Sequence, residues 1–159
     1  MTHRLTPKAR ADLSRLVAMQ TKTLGEILRD ADLVSPWQIE SALQAKMQHP
    51  ELRIGEILAQ KDLIKPETAD FFAQDWTKAV IAAEKNTLGY YLQQAAILDR
   101  EQIEIILAEQ SASGVLFGTV AVFQGFIKST TLDFFLANLF PEELNVSPFI
   151  NMYKGYSLF

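Results

Sequence analysis

The sequence predicts an all-α chain of four helix–turn–helix repeat units, preceded by one extra helix and followed by an aromatic C-terminal tail. Three observations predict it. A short apolar–glycine block recurs as Leu24-Gly25-Glu26-Ile27-Leu28, Ile54-Gly55-Glu56-Ile57-Leu58, Leu88-Gly89-Tyr90-Tyr91-Leu92 and, more loosely, Phe117-Gly118-Thr119-Val120-Ala121. An apolar pair follows each block at one fixed offset: Leu33-Val34, Leu63-Ile64, Ile97-Leu98 and Phe126-Ile127. Helix-start chemistry then stands where the second helix of the first three units should begin. Successive glycines are 30, 34 and 29 residues apart. That period fits stacked units, because one such unit cannot bury its apolar face alone.

The elements follow in order. Pro7 to Thr21 reads as an amphipathic helix with Leu13, Leu16 and Val17 on one face. Its Lys8, Arg10 and Arg15 are interrupted by Asp12, as on a solvated face. In the first unit, Thr23 and Glu26 form a capping box, and Leu24, Ile27 and Leu28 share a face. The helix should end near Asp32, and Leu33-Val34 should cross the core. Ser35-Pro36-Trp37-Gln38 opens the next helix with a cap, a proline at the first position and a glutamine three residues on. That helix should bury Ile39, Ala42 and Leu43. The second unit repeats the proline signal at Lys65-Pro66-Glu67, and the third caps with Asp99 to Gln102. In the fourth, Val115, Val120, Val122 and Gly125 disfavour helix locally, and the register of the repeat favours it.

The expected boundaries are an N-terminal helix within 1–22, a first repeat pair over 23–76, a connecting helix segment over 77–86, a second pair over 87–139 and the tail over 140–159. Ala79 to Glu84 should extend the second unit across the connection. Pro141 and Pro148 stop helices, and Phe149, Tyr153, Tyr156 and Phe159 punctuate the tail. The tail either folds back into a groove or docks on a partner through its aromatic anchors.

Composition narrows the function. The 159 residues are 48% hydrophobic and 21% charged, as in a folded globular chain. Cysteine is absent, which excludes disulfides, thiolate metal sites and a cysteine nucleophile. The two histidines, His3 and His49, are isolated, so no histidine-based triad or metal cluster is expected. No Gly-rich phosphate loop ending in Lys-Ser/Thr occurs. The chain reads as non-enzymatic. Its net charge is −4, and residues 81–159 hold four basic against eight acidic side chains. That balance disfavours nucleic-acid binding. No signal-peptide core opens the chain, and the apolar run Val115–Ile127 is far short of the roughly 20 residues of a membrane helix. A cytoplasmic protein without a transmembrane segment is expected.

The apolar-Gly-x-x-Leu block, the fixed gap and the apolar pair resemble the MshEN domain, the N-terminal domain of bacterial type II secretion and type IV pilus ATPases (the GspE N-terminal family). The resemblance spans about Thr23 to Leu139 and lacks the ATPase. It implies two tandem domain-like pairs, at 23–76 and 87–139, and docking onto a larger machine. Some members of that family bind cyclic di-GMP. Their arginine two residues before the glycine falls here at Thr23, Arg53, Thr87 and Leu116, so only Arg53 matches. Their second glycine falls at Asp32, Asp62, Ala96 and Gly125, and their closing glutamine at Lys46, Trp76, Gln110 and Leu139. The candidate ligand residues are therefore Arg53, Gly55, Gln110 and Gly125, spread over three units. Thr and Leu cannot replace an arginine that stacks on guanine and pairs with phosphate.

The repeat glycines have two readings: exposed helix N-termini for an anion, or close packing between units. Trp37 and Trp76 are amphipathic candidates for partner binding alongside Phe149, Tyr153, Tyr156 and Phe159. The expected function is a protein–protein interaction (adaptor or regulatory) module, with self-association left open. The alternative is a cyclic di-GMP sensor.

Overall fold

The computed structural model describes residues 5–142, and every regular element among them is helical. The helices are α1 (Pro7–Gln20), α2 (Leu24–Asp30), α3 (Pro36–Gln48), α4 (Ile54–Gln60), α5 (Pro66–Asp70), α6 (Trp76–Ile81), α7 (Leu88–Gln94), α8 (Arg100–Ser113), α9 (Phe117–Phe123) and α10 (Ser129–Leu139). A π-helical turn, Phe71–Asp75, joins α5 to α6. The chain is all-α. Even α9 is helical, although its valines and threonine favour strand: its Val120 and Ala121 are buried, and burial outweighs a propensity of a few tenths of a kcal/mol per residue.

The start signals act as their chemistry requires. The Thr23 hydroxyl accepts from the Glu26 N–H, and the Thr23 N–H donates to the Glu26 carboxylate at 2.9 Å. Ser35 with Gln38, and Asp99 with Gln102, make the same reciprocal pair. Thr87 caps α7.

The four short helices α2, α4, α7 and α9 stop in the same way. The N–H groups of Leu33, Leu63, Ile97 and Phe126 donate to the carbonyls of Leu28, Leu58, Leu92 and Ala121 five residues back. The residue before each donor has a positive φ: Asp32 at 55°, Asp62 at 56°, Ala96 at 54° and Gly125 at 76°. This is a Schellman stop, which satisfies carbonyls that the helix end leaves open. Each first helix is thus turned back onto its own second helix in one geometry.

Several expected details differ. Leu43, expected in the core, is 50% exposed, and Leu13 and Val17 on α1 are similarly open. The connecting helix ends at Ile81, so residues 82–86 are not helical. The cause is local: Lys85 Nζ occupies the carbonyls at the end of α6. His3, Leu16 and the aromatic tail from residue 143 on, with Phe149, Tyr153, Tyr156 and Phe159, lie outside the described side chains.

One core runs through both pairs, from Leu28 and Leu58 to Leu92, Ile106, Leu132 and Phe135. The pairs meet reciprocally. The Thr68 hydroxyl donates to the Ala95 carbonyl at 2.7 Å, and the Thr131 hydroxyl donates to the Ala31 carbonyl at 2.7 Å. Thr68 and Thr131 hold equivalent places in the second unit of each pair, and Ala31 and Ala95 in the first. Such an i-to-j and j-to-i exchange is the mark of an isologous, two-fold contact. Phe72 and Phe135 meet across it at 6.0 Å, and Trp76 stacks on Phe134 at 5.0 Å with the rings 17° apart.

Candidate functional site

The repeat glycines are packing positions. A Cβ on Gly55 would stand 3.1 Å from the Ala69 Cβ, and one on Gly118 would stand 2.8 Å from Leu132 Cδ1. On Gly89 it would meet the Phe117 ring at 3.0 Å, and on Gly25 it would meet Ile39 at 3.3 Å. Close approach of neighbouring helices accounts for all four.

In the third unit these contacts leave a groove of about 430 Å³ between α7, α8 and the start of α9. Gly89, Ile103, Leu107 and Phe117 make its apolar walls, and Thr87, Gln93 and Gln110 supply its polar groups. No lining side chain is charged. Helices α7 and α9 carry no charged residue at all. Thr87, Gly89 and Gln110 therefore share one cavity, and no guanidinium or ammonium group lines it. In the first unit Lys46 stands at the place of Gln110 and donates to the Leu52 carbonyl at 2.8 Å.

The four candidate ligand residues do not share that groove. Only Gln110 lines it. Arg53 is exposed at the N-cap of α4, where its N–H donates to the Glu56 carboxylate at 2.7 Å. Gly55 is buried behind Ala69, and Gly125 turns the chain into α10 with open space around it. Asp32 is held by the second pair: the Thr130 hydroxyl donates to its carboxylate at 2.5 Å, and Lys128 Nζ donates to its carbonyl at 3.0 Å.

The two tryptophans part company. Trp76 is 1% exposed and packs among Phe71, Phe72, Phe134 and Phe135, so it is a core residue and not a partner anchor. Trp37 is 77% exposed. On the same outward sector of α3, about 120° wide at 100° per residue, lie Leu43 and the 84%-exposed Met47, separated by Glu40 and Gln44.

One sequence signal for the pair interface was missed. Lys65, Thr68, Asp70, Phe71 and Phe72 recur 63 residues on as Lys128, Thr131, Asp133, Phe134 and Phe135. Comparing units one by one hides this match, and comparing second unit with fourth shows it.

The chain has a cyanobacterial relative. It is 39% identical over 121 residues to an uncharacterized protein of Picosynechococcus sp., an alignment covering 76% of this chain and 66% of that protein. No family model matches, and no solved structure matches.

Proposed function

We propose that this chain is a non-enzymatic protein–protein interaction module that presents the outer face of α3 to a larger protein assembly. The observation that carries this reading is the exposure of Trp37 on one face with Leu43 and Met47. Burying a tryptophan removes 150–250 Å² of largely apolar surface from water. At about 25 cal/mol per Å² that is worth several kcal/mol, so a solvent-facing tryptophan on a helix face that also exposes Leu43 and Met47 is a natural anchor. The surrounding core is closed without it. Among the described residues, nothing in the packing of α3 therefore requires an aromatic residue at position 37.

The likeness to the MshEN domains supports an assembly such as pilus or secretion machinery as the partner. All four positions where those domains carry their second glycine have a positive φ here. The cyclic di-GMP reading has less behind it, because the groove holding Gln110 presents no cation and Arg53 lies in another unit.

The test is affinity capture with the full chain, followed by titration of the identified protein against the purified chain and its Trp37→Ala and Met47→Ala variants. Trp37→Ala should weaken binding by about tenfold or more, with an unchanged circular dichroism spectrum. Equal affinity for the variants would remove α3 as the site. Saturable calorimetric binding of cyclic di-GMP that Arg53→Ala abolishes would replace this reading with the sensor.

A further inference from the structure

The connection between the two pairs has an unusual end. Helix α6 stops at Ile81, and Ala82 turns out of helix with ψ at 129°. Had the helix continued, the carbonyls of Ala79, Val80 and Ala82 would accept from the N–H groups of Ala83, Glu84 and Asn86, four residues on. Those same three carbonyls instead accept from Lys85 Nζ, at 2.6, 2.7 and 2.8 Å. One ammonium takes the place of three backbone donors. The Asn86 N–H, freed from the helix, donates to the Tyr91 hydroxyl at 3.0 Å.

The segment is nevertheless composed for helix. Ala82, Ala83, Glu84 and Lys85 are strong helix formers, and only Asn86 and the α7 cap Thr87 are weaker ones. The chain thus has two ways to satisfy one set of acceptors: the observed bend clasped by Lys85, and a helix running on from α6 into α7. The bend is not packed solid. A cavity of about 410 Å³ lies against it, lined by Asp12, Val80, Lys85, Asn138 and Phe140 among others.

Straightening this segment would carry the second pair away from the first. It would uncover Phe72, Phe135, Thr68 and Thr131 together. A second pair from another copy presents the same Thr131, Phe135 and Ala95 to the first pair, so it can make the same contacts as its own does. We propose that residues 82–87 form a hinge clasped by Lys85, through which two copies of this chain exchange their second helix pairs and dimerise with the same contacts.

The absence of cysteine gives a clean test. Asp32 and Thr130 touch across the pair interface. One chain carries Asp32→Cys and another Thr130→Cys, both with Lys85→Ala, and the two are mixed under oxidation. Lys85→Ala removes the clasp and keeps the helix propensity. The expected result is an interchain disulfide, raised about tenfold over the same mixture with Lys85 retained, and suppressed when Ala83→Gly weakens the continued helix. Folded Lys85→Ala chains that stay monomeric by light scattering, with the Asp32→Cys/Thr130→Cys double variant closing only on itself, would overturn the hinge. A second arm needs no hinge variant. The two cysteine chains with Lys85 intact are unfolded together and refolded at rising concentration. Interchain disulfide that increases with concentration supports exchange, and unlinked monomer at every concentration overturns it.

Discussion

Thr131 donates a 2.7 Å hydrogen bond to the carbonyl of Ala31, 100 residues away in sequence, and both residues are buried. Thr68 makes the same bond to Ala95. These bonds satisfy carbonyls at the stops of α2 and α7 and tie each first unit to the opposite pair. Replacing Thr131 by valine keeps the volume and leaves the Ala31 carbonyl without this donor. Thr131→Val should cost about 1–3 kcal/mol, and Thr68→Val a similar amount, both measurable by urea unfolding. A loss under about 0.3 kcal/mol for both would mean that the apolar contacts alone hold the pairs together.

The glycines test packing against ligand binding. Gly118→Ala forces a Cβ to 2.8 Å from Leu132, itself 1% exposed, and should destabilise by about 1–3 kcal/mol. Gly25→Ala faces the half-buried Ile39 at 3.3 Å and should cost distinctly less. Thermal unfolding of the two variants checks the order, and equal melting temperatures would contradict it.

The left-handed turns offer stabilisation. Ala96 holds φ at 54° with a side chain that makes this conformation costly. Ala96→Gly should stabilise by about 1 kcal/mol. Asp32→Gly should yield less, because it surrenders the bond from Thr130. A calorimetric melting temperature that rises for Ala96→Gly and rises less, or falls, for Asp32→Gly is the expected outcome.

Asp133 carries a pH dependence. Its Oδ1 is buried with no hydrogen-bond partner among the described residues. Burial raises its pKa above the ordinary 3.8. Between 3.8 and the raised value the native chain holds more protons than the unfolded one, so this group costs stability as pH rises through that window. Asp133→Asn should therefore be more stable at neutral pH, by about 1 kcal/mol or less because the group is partly solvated. The advantage should vanish below about pH 3.8. An advantage that persists unchanged into acid would assign it to something other than the charge.

Much of the local structure is legible in the sequence alone. The capping boxes at Thr23, Ser35 and Asp99 are decided by atoms within three residues of each other, so sequence alone exposes them. The apolar register placed Leu28, Leu58 and Leu92 in the core, where each is 0% exposed. Burial that depends on a distant element was not legible. Trp37 and Trp76 both sit on amphipathic helices. Trp76 is buried because Phe134 and Phe135 of α10 arrive beside it, and no such cover reaches position 37 of α3 among the described residues. The end of α6 was hidden for a related reason. Alanine, glutamate and lysine read as helix, and only a side chain folding back onto three carbonyls ends it.

The sequence by itself therefore determined the helical class, the four apolar–glycine blocks, the caps that start the helices and the lack of cysteine chemistry. These follow from contacts within one or two turns of chain, where spacing is geometry. The tertiary structure alone decided which tryptophan faces solvent, that Thr87, Gly89 and Gln110 line one uncharged groove, and that the two pairs clasp each other through Thr68 and Thr131. Those depend on residues about 20 to 100 positions apart, and their meeting is set by how whole helices pack rather than by any local preference.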